Sequence, residues 1–187
     1  MTDSQTLVKT LDFQLDIQSD NESLLYDATL EARSVYNETI RLAKQGVDWH
    51  AIPDRVADDA NLVKNTTQRV VAKALDAMEN YYEYDDFGQP SHTKDGPYPL
   101  RANYEEGYTL SLTDGGDVAF RISAKPYKHV EGVLKGSDAN LDILKTALES
   151  DEWKIGTAEA LFHNENAELH VNVTNTEQTV RDKQDSR

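Results

Sequence analysis

The sequence LVKTLDFQLDI, residues 7–17, determines how the rest of the chain must be organised. Its apolar residues Leu11, Phe13, Leu15 and Ile17 alternate with polar ones, which places all four on one face of a β-strand. A lone strand leaves its backbone amides and carbonyls without partners. Because all the other predicted strands follow residue 100, this strand is expected to pair with them across an intervening helical segment.

Helical spacing follows the first strand. Ser19–Glu22 matches a capping box, and apolar residues then recur every three or four positions as far as Ala43, with Gly46 as a stop signal. Pro53 suits the first turn of a short second helix. A third apolar stripe predicts a helix from about Asn65 to Tyr84.

The second half of the chain returns to strand patterns. Residues 85–99 are rich in Gly and Pro and are interpreted as a linker. Alternating strands are predicted at 108–122, around a turn at 114–117, and at 129–134, and a closing hairpin at 154–173. A short helix is predicted at 140–148. The sequence therefore predicts an α+β fold, a small β-barrel with a three-helix domain inserted after its first strand. The expected divisions are residues 1–18 for the first strand, 19–97 for the helical domain and linker, 98–178 for the remaining barrel, and 179–187 for a polar tail.

The composition excludes several classes of protein. The chain has 187 residues and no cysteine, which rules out disulfides, cysteine-ligated zinc and a thiolate nucleophile. No apolar run approaches the ~18 residues of a membrane span, and the first ten residues lack the apolar stretch of a signal peptide. We therefore expect a cytoplasmic protein with no membrane partner. The formal charge of −15, from 34 acidic and 19 basic residues, argues against a simple phosphate-binding surface.

Motifs for catalysis are absent from the sequence. It contains no G-x-G-x-x-G, Walker loop, G-x-S-x-G or H-E-x-x-H pattern. His163 and His170 flank the last predicted hairpin, with Glu168 nearby, so cross-strand pairing would allow a metal site and a small hydrolase. The same residues are also ordinary polar positions on a sheet face. No cofactor is predicted.

The scarce basic residues are more informative. Lys64, Gln68, Arg69 and Lys73 follow one another at helical steps along the third predicted helix. Such an edge suits contact with nucleic acid, but it is also typical of a solvated helix face. A second basic group lies around the later strands and contains Tyr127, a residue type that stacks on bases. Its basic members are Arg121, Lys125, Lys128 and Lys135.

Several local sequences, in this order, resemble the N-terminal part of TnpB-type proteins, the OrfB transposases of insertion sequences. They are ARSVYN at 32–37, KNTTQ at 64–68 continuing to the tyrosines at 81–82, the strands at 108–122, and the strand at 167–173. The resemblance covers about residues 7–178. It implies a β-barrel wedge domain with an inserted helical recognition domain, which together hold a guide RNA and read a short motif in double-stranded DNA.

The resemblance also implies roles for individual residues. Lys64 and Gln68 match helix positions that face the target-adjacent DNA, and Trp49 falls where the family often has an aromatic residue in that site. Arg69, Lys73, Arg101, Arg121, Lys125 and Lys128 are candidates for contacts with RNA. The linker departs from the family, because it carries a single lysine, Lys94, where the family has a basic stretch.

The family cuts DNA with a RuvC-like domain and a zinc-binding insertion, and neither its opening strand nor a Cys-x-x-Cys pair occurs in this sequence. The resemblance therefore implies a truncated transposase that binds nucleic acid and is not an enzyme. The alternative is an acidic protein-interaction or DNA-mimic module that binds a basic protein.

The acidic residues are spread along the chain. Residues 19–97 hold 15 acidic and 8 basic residues, and the rest of the chain carries a similar excess. This pattern resembles the surface acidity of proteins from extreme halophiles, in which high salt screens charge. We therefore expect a protein that needs salt to stay folded and that recognises its partner through a few placed side chains.

Overall fold

In the described part of the chain, the strands form one antiparallel sheet, accompanied by four helices. The computed structural model describes residues 7–18, 21–84 and 98–175. Within these ranges the elements are, in chain order, β1 (Leu7–Ile17), α1 (Glu22–Lys44), α2 (Ile52–Asp59), α3 (Lys64–Glu83), β2 (Leu100–Asn103), β3 (Tyr108–Leu112), β4 (Val118–Lys125), β5 (Lys128–Lys135), α4 (Asp138–Glu149), β6 (Trp153–His163) and β7 (Asn166–Asn175). The α+β class is therefore confirmed.

Strand β1 lies in the middle of the sheet, whose order is β2-β6-β7-β1-β5-β4-β3. It pairs with β7 on one side and with β5 on the other. The expectation that the first strand finds its partners after residue 100 is confirmed. Leu11 and Phe13 of β1 are buried, as their alternation predicted.

The sheet is curled into a half-barrel, so its two ends approach each other. Tyr108 of β3 is buried, and its hydroxyl donates a 2.8 Å hydrogen bond to the carbonyl of Gly156 in β6. A single bridge, Tyr104 to Tyr108, joins the ends of β2 and β3. The described ladders leave β2 and β3 as the two edges, so the sheet is more open than the barrel that the sequence predicted.

Helices α1, α2 and α3 form a layer against the open side of the half-barrel. α1 and α3 pack against each other, α2 contacts each of them, and α1 also contacts β2, β4 and β5. α3 lies along β2. The concave side of the sheet and the helices share one core, in which Leu25, Met78 and Phe120 are buried. α4 covers another part of the sheet and buries Leu144.

The sequence missed one strand, β2, because four residues are too few to show a period. Helix α1 begins at Glu22 with Asn21 as its N-cap and without a side-chain capping bond. The predicted capping box includes Ser19 and Asp20, which lie outside the described residues, as do most of the predicted linker and the polar tail. None of the helices in the described ranges is long and apolar enough to cross a membrane.

Candidate nucleic-acid interface

The exposed side of α3 carries the first group of candidate residues. Lys64, Gln68 and Arg69 are exposed, whereas Val70, Ala74 and other apolar residues on the opposite side are buried. Lys64 and Gln68 are one turn apart, and Arg69 lies beside Gln68. The N-terminal half of α3 therefore exposes Lys64 and Gln68 along one edge, and it exposes Arg69 on a neighbouring face, about 140° around the helix from Lys64.

The charges of α3 oppose its helix dipole. The first turn contains Lys64 and no acidic residue, and the last turn contains no basic residue. The N-cap, Val63, has no side chain that can accept from the free amides. Cations near a helix N-terminus are unfavourable, so Lys64 does not stabilise the helix that carries it.

A carboxylate from the β2–β3 turn approaches this end of α3. Glu106 accepts hydrogen bonds from the Nδ2 atoms of Asn65, at 2.7 Å, and Asn103, at 2.9 Å. The Asn65 Oδ1 atom and the Thr66 hydroxyl are buried and have no hydrogen-bond partner in the structure. Glu106 thus joins α3 to the sheet. Its carboxylate partly offsets the positive N-terminal end of the helix dipole, whereas the cation of Lys64 does not.

Lys73 lies nearer the middle of α3 and is engaged by the sheet. Its Nζ lies 3.0 Å from Oε1 of Glu159 on β6 and 5.6 Å from the ring centre of Tyr98. Tyr98 in turn stacks on Tyr36 of α1, with ring centres 4.6 Å apart. Burial raises the pKa of the Tyr98 hydroxyl, Tyr36 and Glu159 raise it further, and Arg101 opposes them. Lys73 is therefore held in place between the two layers.

Arg101 belongs to a charged row across the outer face of the sheet, the face opposite the core. In register, Arg101 lies opposite Glu159, Glu159 opposite His170, and His170 opposite Asp12. The Nε2 atom of His170 lies 3.4 Å from Glu168 and 3.7 Å from Asp12. In this row Arg or His alternates with Glu or Asp, and Arg101 lies at its β2 end, next to α3.

Trp49 lies far from the other two residues predicted to contact DNA. Its ring lies 6.3 Å from that of Tyr82, near the C-terminal end of α3. Lys64 is 18 residues before Tyr82, which corresponds to about 27 Å along the helix at 1.5 Å per residue. Lys64 and Gln68 therefore share one edge of α3, and Trp49 lies at the other end of that helix.

The residues predicted to contact RNA are also divided. Arg69 and Lys73 belong to α3 and Arg101 to β2, whereas Arg121, Lys125 and Lys128 belong to the β4–β5 hairpin. The Nε atom of Arg121 lies 3.4 Å from Glu131 on the neighbouring strand. Lys125 and Lys128 face each other in register at the end of the hairpin.

The two histidines considered for a metal site are not cross-strand partners. His163 pairs with Asn166 and His170 with Glu159. No group of three potential metal ligands occurs among residues 7–18, 21–84 and 98–175. The juxtaposition on which the hydrolase alternative rested is therefore wrong.

Glu106 and Glu159 are the residues that the sequence analysis missed. Strand alternation alone places Glu159 on the polar side of β6, but its register partner Arg101 belongs to β2, which was not predicted. Nothing in the sequence around Glu106 signals its contact with Asn65, which is 41 positions away. No known protein family matches the chain by sequence, and no curated protein matches it.

Proposed function

We propose that this chain is the nucleic-acid-binding portion of a TnpB/OrfB-type transposase, and that it binds a guide RNA and target-adjacent double-stranded DNA. The proposal assigns a recognition role to α1–α3 and a wedge role to the sheet, and it assigns no catalysis to either. It rests on the sequence resemblance and on one structural observation. The N-terminal half of α3 exposes Lys64, Gln68 and Arg69, and Lys64 lies in the first turn, where a cation opposes the helix dipole.

The chemistry of that edge suits nucleic acid. Lysine and arginine neutralise phosphates, and glutamine and arginine donate to base edges in the major groove. Lys73, one turn after Arg69 on the same side of α3, contacts Glu159 on the outer face of the sheet, and Arg101 lies opposite Glu159 in register. Since α3 lies along β2, a bound strand would follow the α3–β2 junction.

A direct binding assay tests this function. The full chain is titrated against a labelled RNA from the end of its insertion element and against a DNA duplex, at several KCl concentrations that keep it folded. We expect binding that weakens linearly on a logarithmic salt scale, because each neutralised phosphate contributes a slope of about −0.9 on duplex DNA. Absence of binding to RNA and duplex DNA at every salt concentration would refute the proposal.

A second candidate function is an acidic protein-interaction or DNA-mimic module. The observation that favours it is the C-terminal half of α3, where Asp76, Glu79 and Glu83 are exposed at helical spacing. Residues at these steps lie on one side of a helix, so they present a line of negative charge. Binding of a lysine-rich peptide, lost when these three carboxylates are changed to amides, would identify this function.

A further inference from the structure

The hairpin between β4 and β5 ends in four residues, Lys125-Pro126-Tyr127-Lys128, which we call the β4–β5 tip. Lys125 and Lys128 are paired in register, so Pro126 and Tyr127 alone make the turn. The neighbouring strands end earlier. Gly107, just before β3, accepts from the amide of Ser123, and Gln18, just after β1, donates to Glu131. The tip therefore extends beyond the rest of the sheet.

Tyr127 has a backbone conformation that disfavours its side chain. Its φ is 60°, in the left-handed region. A residue with a Cβ atom is less stable there by roughly 1–2 kcal/mol, and turns with proline first and a positive φ second usually have Gly or Asn at the second position. In the β3–β4 turn, at the opposite end of β4, the residue with a positive φ, 83°, is a glycine, Gly116.

The charges at the tip are also unfavourable for the isolated fold. Like charges directly opposite each other in an antiparallel pair repel, and Lys125 and Lys128 are such a pair. In the part of the chain that the structure describes, neither lysine has a carboxylate within ion-pair distance. Two unpaired cations side by side are notable in a chain whose net charge is −15.

Burial of the Tyr127 side chain does not compensate for its strained backbone or for the repulsion between the two lysines. Tyr127 is 101% exposed, and its ring contacts no other aromatic ring among the described residues. Strain, like-charge pairing and an exposed aromatic ring thus coincide at four residues. Strained residues cluster at sites where binding uses them.

From this coincidence we propose that the β4–β5 tip is a contact point for a single nucleic-acid strand. The Tyr127 ring stacks on one base, and Lys125 and Lys128 neutralise the phosphates on either side of it. The inference rests on the proposed function and deepens it, because it assigns the single-stranded part of the nucleic acid to a site separate from α3. Aromatic rings beside cations are the usual means by which proteins hold single strands.

Other polyanionic partners fit the tip less well. An acidic peptide would pair with the lysines but has no base to stack on the exposed ring. An anionic membrane surface binds through a broad apolar face with many cations, whereas the tip has one aromatic residue. A nucleic-acid strand uses the ring and the charges together.

The test measures the affinity of the full chain for a labelled single-stranded RNA at fixed KCl. Tyr127→Gly removes the ring and relieves the backbone strain, so we expect a folded variant that binds about 5- to 150-fold more weakly, the range of one stacked base. Lys125→Gln with Lys128→Gln should lower affinity and reduce the slope against salt. Lys9→Gln with Lys154→Gln is the matched control, because it removes the same charge from exposed strand positions outside the tip.

The outcomes separate the two proposals. If wild-type protein binds the RNA and Tyr127→Gly binds it equally well, the role of the tip is refuted and the proposed function stands. If wild-type protein binds neither RNA nor duplex DNA, the two proposals fail together. Tip-dependent binding of a poly-glutamate peptide or of anionic vesicles, without RNA binding, would also overturn the inference.

Discussion

The two long helices, α1 and α3, pack against each other but have opposite charge arrangements. α1 has Glu22 in its first turn and Arg41 and Lys44 in its last, so its charges favour the helix dipole. α3 has Lys64 in its first turn and no basic residue in its last. Gly46, two residues after the last residue of α1, has a left-handed conformation, whereas the C-cap of α3, Tyr84, is extended.

The difference separates stability from recognition. The charges of α1 are explained by the helix itself, so they require no partner. Those of α3 are unfavourable for the helix, and the buried face of α3 must hold it in place. We infer that the exposed cations of α3, Lys64 and Arg69, serve an external ligand, whereas packing of the buried face stabilises the helix. The following predictions test these two statements.

The largest expected effect comes from the buried face of α3. Met78 is 0% exposed, and Met78→Ala should lower the free energy of unfolding by about 2–5 kcal/mol, because the substitution leaves a cavity. Denaturant unfolding at constant KCl measures it. Glu79→Ala, at the neighbouring exposed position, is the control and should change stability by less than about 0.5 kcal/mol. Equal effects of the two substitutions would show that packing does not anchor α3.

The next effect concerns the way α1 ends. Gly46 has a φ of 81°, and an added Cβ would meet no atom within 4 Å. Gly46→Ala should therefore destabilise through backbone strain alone, by about 1–2 kcal/mol. Gly115→Ala serves as control, because Gly115 lies in a turn without a positive φ and its Cβ would also have room. If the Gly46→Ala protein is as stable as the Gly115→Ala protein, the left-handed glycine does not stabilise the end of α1.

The smallest expected change in stability comes from the charged residues in the first turns of α1 and α3. Glu22→Gln should lower the free energy of unfolding, and Lys64→Gln should raise it, each by about 0.3–1 kcal/mol at the lowest salt that keeps the protein folded. The signs differ because the acid suits the N-terminal end of the dipole and the cation does not. The two changes should shrink as KCl is added, since salt screens them. The same sign for both variants would contradict the comparison.

The sequence predicted elements more successfully than it predicted contacts. Leu7–Ile17 and Val118–Ile122 were recognisable because alternation over five or more residues is specific, and α1 because its stripe continues for six turns. β2 was too short to be recognised. Its absence from the prediction hid the pairing of Arg101 with Glu159, and therefore the position of Lys73.

The candidate site illustrates a second limit. Helical periodicity placed Lys64 and Gln68 on one edge and Arg69 on a neighbouring face, because spacing alone fixes the direction of each residue around a helix. The position of Trp49 depends on how the α1–α2 loop packs against α3, which sequence spacing does not specify. The pairing of the histidines failed for a related reason, because the register of β6 and β7 places His170 opposite Glu159.

The most direct test of the central claim is the affinity of a Lys64→Gln, Arg69→Gln protein for a DNA duplex, measured against salt concentration. If the cations of α3 contact phosphates, binding weakens and the slope against salt falls by about 2, at about 0.9 for each lost contact, while thermal stability is maintained or rises. Lys44→Gln with Arg41→Gln, at the end of α1, removes the same charge and should leave the slope nearly unchanged. An equal loss of slope in the two double variants, or none in either, would contradict the claim that α3 binds nucleic acid.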